Sequence, residues 1–325
     1  MRWDLFCRVI DNYGDIGVCW RLAADLAARG ETVRLIVDEP SPLAWMAPHG
    51  APGVEVRAWS DEPLEPADVV IEAFGCDPPP AFVARMTCAQ LWINLEYLSA
   101  EAYAERSHKL PSPRPGGLTK WFYYPGFTTP RTGGLLREPG LIAEREAFDR
   151  APWLARHGIT LRDGERLVSL FAYPRAPIDA LLERLLRQGP VHLLLTPGMP
   201  RPAPRAGLAT RRLPWLEQHD FDRLLWACDF NAVRGEDSLV RALWAGAPFL
   251  WHIYPQHDGA HAAKLDALLA RLGLAGDWAA GFRAWNGLGP WPDTLPTAWD
   301  TAWRDSLLAQ PDLTTQLLGF VAARR

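Results

Sequence analysis

The chain has 325 residues, 48% hydrophobic and 22% charged, a length for about two globular domains and a composition too apolar for a disordered chain. Its 34 basic and 38 acidic residues leave a net charge of −4, which argues against a strongly basic nucleic-acid binder. No run approaches the ~20 apolar residues of a membrane helix. The opening residues, MRWDLFCRVIDNYGD, lack the apolar stretch and small-residue cleavage site of a signal peptide. The five cysteines, Cys7, Cys19, Cys76, Cys88 and Cys228, are scattered and form no CxxC. That pattern fits reduced core thiols in the cytoplasm rather than a disulfide framework or a zinc site. Lysine occurs only at Lys109, Lys120 and Lys264, so nearly all of the basic residues are arginine.

The first predicted element is a buried strand over residues 3–10. A polar turn, DNYGDIG at 11–17, follows it, then a helix from Val18 to Arg29 stopped by Gly30, and a strand over 33–37. This strand–loop–helix–strand unit is the building block of a parallel α/β sheet. Further strands are predicted at 54–59, 68–72 and 91–95. The stretch from Pro111 to Gly140 is rich in Gly, Pro and aromatics and predicts long ordered loops with little regular structure. A second alternating series begins near residue 166. It has strands at 166–173, 191–196, 229–234 and 248–253, and helices at 178–188, 221–227, 238–246 and 260–272. The pattern is α/β throughout, with two domains. An N-terminal domain is expected over 1–160 and a second over 161–309, while a last helix within about 310–325 can pack back on the first. Ligands of such tandem α/β domains favour the cleft between them. No internal repeat or low-complexity tract is present.

The turn at 11–17 lies at the carboxyl end of the first strand, where α/β sheets place their chemistry. It lacks the glycine spacing of a dinucleotide fingerprint. It carries Asp11 and Asp15 four residues apart, Asn12 between them, and Gly14 and Gly17 as pivots. Two readings stand side by side. Asp15 caps the following helix, a contribution of ~1 kcal/mol, or an aspartate here serves as a general base oriented by the second acid or by Asn12.

The most informative stretch is VRGEDSLVRALWAGAPFLWHIYPQHDGAH, residues 233–261. Arg234, Gly235, Glu236, Asp237 and Ser238 fall between a strand and a helix. The unpaired N–H groups of that helix start, with the Ser238 hydroxyl and the Arg234 guanidinium, suit a diphosphate. The dipole supplies only ~0.3–1 kcal/mol, up to about 2 when partly buried, so side chains share the task. Tyr254, Gln256, His257 and Asp258 follow. His257 and His261 with Asp258 invite a metal reading, but there is no HExxH and a helix start with polar caps explains them. Phe171 and Tyr173 close a strand, and Gln218 and Phe221 lie in WLEQHDFDRLLWACD, with Phe221 on the predicted helix. These aromatics either pack the core or are placed to sandwich a nucleobase, whose edge Gln218 could then read. No GxSxG, P-loop or kinase signature is present.

Three segments carry a resemblance: FCRVIDNYGDIGVCWRLAADLA, KWFYYPGFTTPRTGGLLRE and DFNAVRGEDSLVRALWAGAPFLWHIYPQHDGAH. In this order they resemble the bacterial protein-arginine rhamnosyltransferases of elongation factor P (the EarP family), from the first strand to about residue 272, with trimmed loops around 40–60 and 200–210. The resemblance implies an inverting GT-B glycosyltransferase with two Rossmann-like lobes facing a cleft. Its donor would be dTDP-β-L-rhamnose and its acceptor one arginine of elongation factor P, which then helps ribosomes stalled at polyproline. No metal or other cofactor is expected if the helix start and Arg234 carry the diphosphate, and the composition leads to no nucleic-acid or membrane partner and to a cytoplasmic location. The family's catalytic aspartate falls on Asp15, its partner acid on Asp11 and its essential glutamate on Glu236. Its donor-binding set falls on Asn12, Tyr13, Gly14, Phe171, Tyr173, Gln218, Phe221, Arg234, Gly235, Asp237, Ser238, Tyr254 and Gln256. The competing expectations are a GT-B transferase for another nucleotide sugar or a small-molecule acceptor, and a non-enzymatic nucleotide-binding protein of the same fold.

Overall fold

The structure is a computed structural model that describes residues 1–10, 13–60, 64–255 and 259–324. The chain divides into two compact units, one of residues 1–139 with 307–325 and one of residues 140–306.

The first unit begins with β1 (Arg2–Cys7), α1 (Gly14–Ala28), β2 (Thr32–Val37), α2 (Leu43–Met46) and β3 (Val54–Ala58). It continues through β4 (Val69–Ala73), α3 (Pro80–Val83), β5 (Leu91–Leu95), α4 (Ala102–Ser107), β6 (Pro111–Pro113) and β7 (Thr119–Tyr123). The seven strands lie in the order β3-β2-β1-β4-β5-β7-β6, parallel except for β6 against β7. The near-continuous apolar runs of β1, β4 and β5 follow from burial on both faces, as parallel sheets require. Trp3, Leu5 and Cys7 join Ile16, Cys19 and Leu22 of α1 in one core. Phe6 points the other way, toward Val70, Phe82 and Trp92. Glu72 of β4 is also fully buried, and it accepts from Lys120 Nζ at 2.7 Å and from Trp92 Nε1 at 3.0 Å. Burial raises its carboxyl above the usual range against the pull of Lys120.

The second unit contains α5 (Leu141–Ala147), α6 (Arg150–Arg156), β8 (Arg166–Leu170), α7 (Ile178–Leu186), β9 (Val191–Leu195), β10 (Leu208–Arg212) and α8 (Gln218–Ala227). After these come β11 (Phe230–Arg234), α9 (Gly235–Ala245), β12 (Phe249–His252), α10 (Ala260–Leu272) and α11 (Gly276–Trp285). Its five strands are all parallel, in the order β10-β9-β8-β11-β12. Then α12 (Ala302–Leu308) leads back to the first unit, where α13 (Leu313–Ala322) buries Leu317, Phe320 and Val321 in the core around α1. Asp312 caps α13 through Thr315 N–H at 2.9 Å and accepts from Arg29 Nη2, just past α1, at 2.8 Å.

Two expectations are corrected by the structure. The 111–140 stretch is not all loop, because Thr119–Tyr123 extends the sheet beside β5 and Pro111–Pro113 pairs outside it. Prolines are tolerated there because an edge strand leaves donors on one side unused. The first unit also ends at residue 139 rather than 160. The intervening α6 sends Trp153 and Leu154 into a core with Leu167, Leu194 and Leu224 of the second unit. No helix among the described residues is long and apolar enough to cross a membrane.

Candidate active site

In the first unit the candidate residues gather at the carboxyl ends of β1, β4 and β5. The first turn of α1 holds Asp15, which is 3% exposed. The residue before the helix is Tyr13, whose side chain makes no capping hydrogen bond. One carboxylate oxygen of Asp15, Oδ2, accepts from the main-chain N–H of Ile10 at 2.7 Å, which ties the end of the β1 segment to the helix. The other oxygen, Oδ1, accepts from the hydroxyl of Tyr97 at 3.4 Å. Tyr97 lies two residues beyond β5, and its ring stacks on Phe74, beyond β4, with centroids 4.3 Å apart and planes 12° from parallel. The Tyr13 ring packs edge-on against Trp45 at 5.3 Å, while Gly17 N–H bonds to the Tyr13 carbonyl. Gly14 is the first residue of α1. Asp11 and Asn12 lie outside the described residues, as does Gln256 with its neighbours His257 and Asp258. Beneath Asp15 sits the Cys19 thiol, pushed up by complete burial and further by the neighbouring Cys7 and Asp15. All five cysteines are unbridged.

In the second unit the site is built around the junction of β11 and α9. Arg234 precedes α9 in extended conformation, and Gly235 turns the chain with φ of +65°, a region open to glycine at no steric cost. Ser238, buried one turn into the helix, accepts from Arg234 N–H at 3.0 Å and donates to the Arg234 carbonyl. Its hydroxyl therefore closes the helix start on itself. The Arg234 guanidinium lies over the rings of Phe171 and Tyr173, 4.3 and 4.8 Å from their centroids, and donates to the Ala172 carbonyl at 3.1 Å. Thus Phe171, Tyr173 and Arg234 form one stacked group. Phe221 meets Phe171 edge-on at 5.7 Å, and Tyr254, which is exposed, meets Tyr173 in the same way at 5.4 Å. Gln218 is buried at the start of α8, preceded by the exposed ring of Trp215. Glu236 and Asp237 stand in the first turn of α9, and Lys264 Nζ of α10 is 3.9 Å from Glu236 Oε1.

His252, at the end of β12, accepts the Tyr173 N–H on Nδ1 at 3.2 Å. Burial, helped by the nearby Arg234 charge, lowers its imidazole to about 4, so it is neutral at pH 7. Among the described residues no group of three or more His, Cys, Asp or Glu side chains is arranged to hold a metal ion. Sequence reasoning did not find Tyr97, Phe74 or Lys264. The one available signal was the position of Tyr97 just past a predicted strand.

Each unit thus offers polar and aromatic groups at the carboxyl edge of a parallel sheet, a buried carboxylate in one and a cation–aromatic stack at a helix start in the other. A family model described as Elongation-Factor P (EF-P) rhamnosyltransferase EarP matches residues 3–322. The protein-arginine rhamnosyltransferase of Pseudomonas putida is 45% identical over 98% of each chain, and that of Pseudomonas aeruginosa is 43% identical over 98% of each. A solved structure described as the structural basis for EarP-mediated arginine glycosylation of translation elongation factor EF-P is 34% identical, with TM-score 0.64 over 99% of each chain. Arabidopsis thaliana UGT89C1 complexed with UDP, 13% identical with TM-score 0.54 over 99% of each chain, shares the fold alone. The fold is that of the GT-B glycosyltransferases.

Proposed function

The chain belongs to the EarP family of elongation factor P rhamnosyltransferases, and from that premise we propose that it moves L-rhamnose from dTDP-β-L-rhamnose to one arginine side chain of elongation factor P, with inversion at the anomeric carbon. The work would take place in the cytoplasm, and the modified factor would serve ribosomes stalled at polyproline. The observation that carries this reading is the Asp15 carboxylate, buried at the end of the first strand with a donor on each oxygen.

Arginine is a poor nucleophile because its pKa exceeds ~12 and its lone pairs are delocalised. Asp15 meets the guanidinium through charge-assisted hydrogen bonds. The C–N bond forms as the bond from the anomeric carbon to the diphosphate oxygen breaks, and one N–H proton passes to Asp15. The substituted guanidinium keeps its positive charge, and dTDP leaves with the electron pair. General-base help contributes roughly 10²- to 10⁴-fold. Alignment of two bound substrates contributes ~7–11 kcal/mol, so positioning outweighs proton transfer.

The donor falls to the second unit. The N–H groups at the start of α9 and the Arg234 guanidinium answer the diphosphate, and Phe171, Tyr173, Gln218 and Phe221 the base. Gly235, Asp237, Ser238, Tyr254 and Gln256 complete that set, with Asn12, Tyr13 and Gly14 contributing from the first loop. Glu236 serves the sugar or ribose hydroxyls, or balances oxocarbenium charge. Asp11 supports its loop. Transfer is assigned to these groups with no metal or other cofactor, and activity should survive a chelator. The test is to incubate the purified protein with dTDP-rhamnose and elongation factor P and read intact mass. One added deoxyhexose supports the reading; no addition, together with tighter binding of UDP or GDP than of dTDP, overturns it.

A further inference from the structure

We infer that Tyr97 is a positioning residue for Asp15, held in place by a strained Phe74. The inference rests on the reading of Asp15 as the base and extends it to the groups that aim the carboxylate.

The starting observation is backbone strain. Phe74 has φ of +58°, the left-handed region that bulky side chains avoid and that persists only where the surroundings impose it. Three hydrogen bonds impose it here. Phe74 N–H donates to the Leu95 carbonyl at 2.7 Å, Gly75 N–H to Asn94 Oδ1 at 3.1 Å, and Cys76 N–H to the Ala73 carbonyl at 3.2 Å. Two of these partners belong to β5, whose continuation carries Tyr97. The same strand that fixes the unusual turn therefore also fixes the residue that stacks on it.

The stack leaves the Tyr97 hydroxyl on Asp15 Oδ1, while Ile10 N–H occupies Oδ2. A donor on each oxygen sets the plane of the carboxylate that is to meet the guanidinium. The 3.4 Å separation is long, as catalytic hydrogen bonds often are before substrate tightens them. A glycine at position 74 would adopt this turn without strain, yet would give Tyr97 nothing to stack on. The aromatic side chain accounts for why the strain is kept.

The test compares Tyr97→Phe, Phe74→Tyr, Phe74→Leu and Asp15→Asn in the full chain, measuring kcat, KM for donor and thermal midpoint. Tyr97→Phe keeps the stack and loses the donor, so kcat should fall by roughly tenfold or more, as for a hydrogen bond to a charged group, with donor KM and midpoint unchanged. Phe74→Leu should lower kcat in the same way, and Phe74→Tyr, which preserves the stack, should restore it. A Tyr97→Phe kcat within twofold of the parent overturns the inference, and so does a fall in kcat matched by a fall in midpoint. If Asp15→Asn itself turns over normally, the base assignment has failed. If Asp15→Asn is inactive and Tyr97→Phe is not, only the inference about Tyr97 has failed.

Discussion

Arg241 on α9 donates two hydrogen bonds to Asp222 on α8, Nε to Oδ1 at 2.9 Å and Nη2 to Oδ2 at 3.0 Å, and both side chains are buried. The pair joins the helix that begins with Gln218 and Phe221 to the helix that begins with Gly235 and Glu236. Removing one partner strands a buried charge, so Asp222→Ala should cost ~3–5 kcal/mol. The paired change Asp222→Leu with Arg241→Met should cost far less, because no charge is left unmatched. Denaturant unfolding of the two variants checks this, and equal losses would remove the pair as the cause.

Asp15→Asn should abolish rhamnosyl transfer and leave donor affinity within a few-fold. The amide is nearly the same size and can still accept the Ile10 N–H, but it cannot take a proton at neutral pH. Single-turnover assays beside calorimetric titration of dTDP separate the two effects. Near-normal turnover would remove Asp15 from the base role.

Phe221→Ala and Ser238→Ala should weaken donor binding before they affect chemistry. Phe221 supports the Phe171 ring edge-on, and that ring carries the Arg234 guanidinium. Ser238→Ala also removes both bonds to the Arg234 backbone, so the thermal midpoint should drop by the equivalent of ~1 kcal/mol, as for a lost helix cap. Calorimetry showing unchanged dTDP affinity in both variants would reject the donor placement.

The buried His252 makes stability depend on pH in a definite direction. Its folded pKa of about 4 lies below the ordinary histidine value of 6.5, so between these values the unfolded chain binds more protons than the folded one. Its contribution to stability is then complete above the unfolded pKa and is lost as pH falls toward 4. The desolvated imidazole of His108, lowered to about 3, acts with the same sign. Unfolding free energies across this range should show a shallower slope for His252→Leu than for the parent. An identical slope would show that His252 does not titrate as its burial requires.

Much of the site was legible because its two loops announce themselves. In each, a short apolar run meets glycine and acids, then a helical period, and the structure puts Asp15 and Ser238 in the first turns of α1 and α9. The partners were not legible. Tyr97 meets Asp15 across 82 positions of sequence, and Lys264 reaches Glu236 from another helix. Such contacts arise from strand order, which no local pattern encodes. Arg234 was expected to face phosphate, and its place over Phe171 and Tyr173 depends on β8 lying beside β11. Strands β6 and β7 were hidden by the density of proline and glycine around them, because pairing at a sheet edge tolerates residues that local propensity counts against.

The return of α13 to the first unit bears on how the chain is made. Leu317, Phe320 and Val321 seal a core whose other buried members, Leu313 apart, lie at residue 136 or earlier. A ribosome therefore releases the whole middle module before the opening module can close. During that interval the nascent chain exposes an apolar slot beside α1.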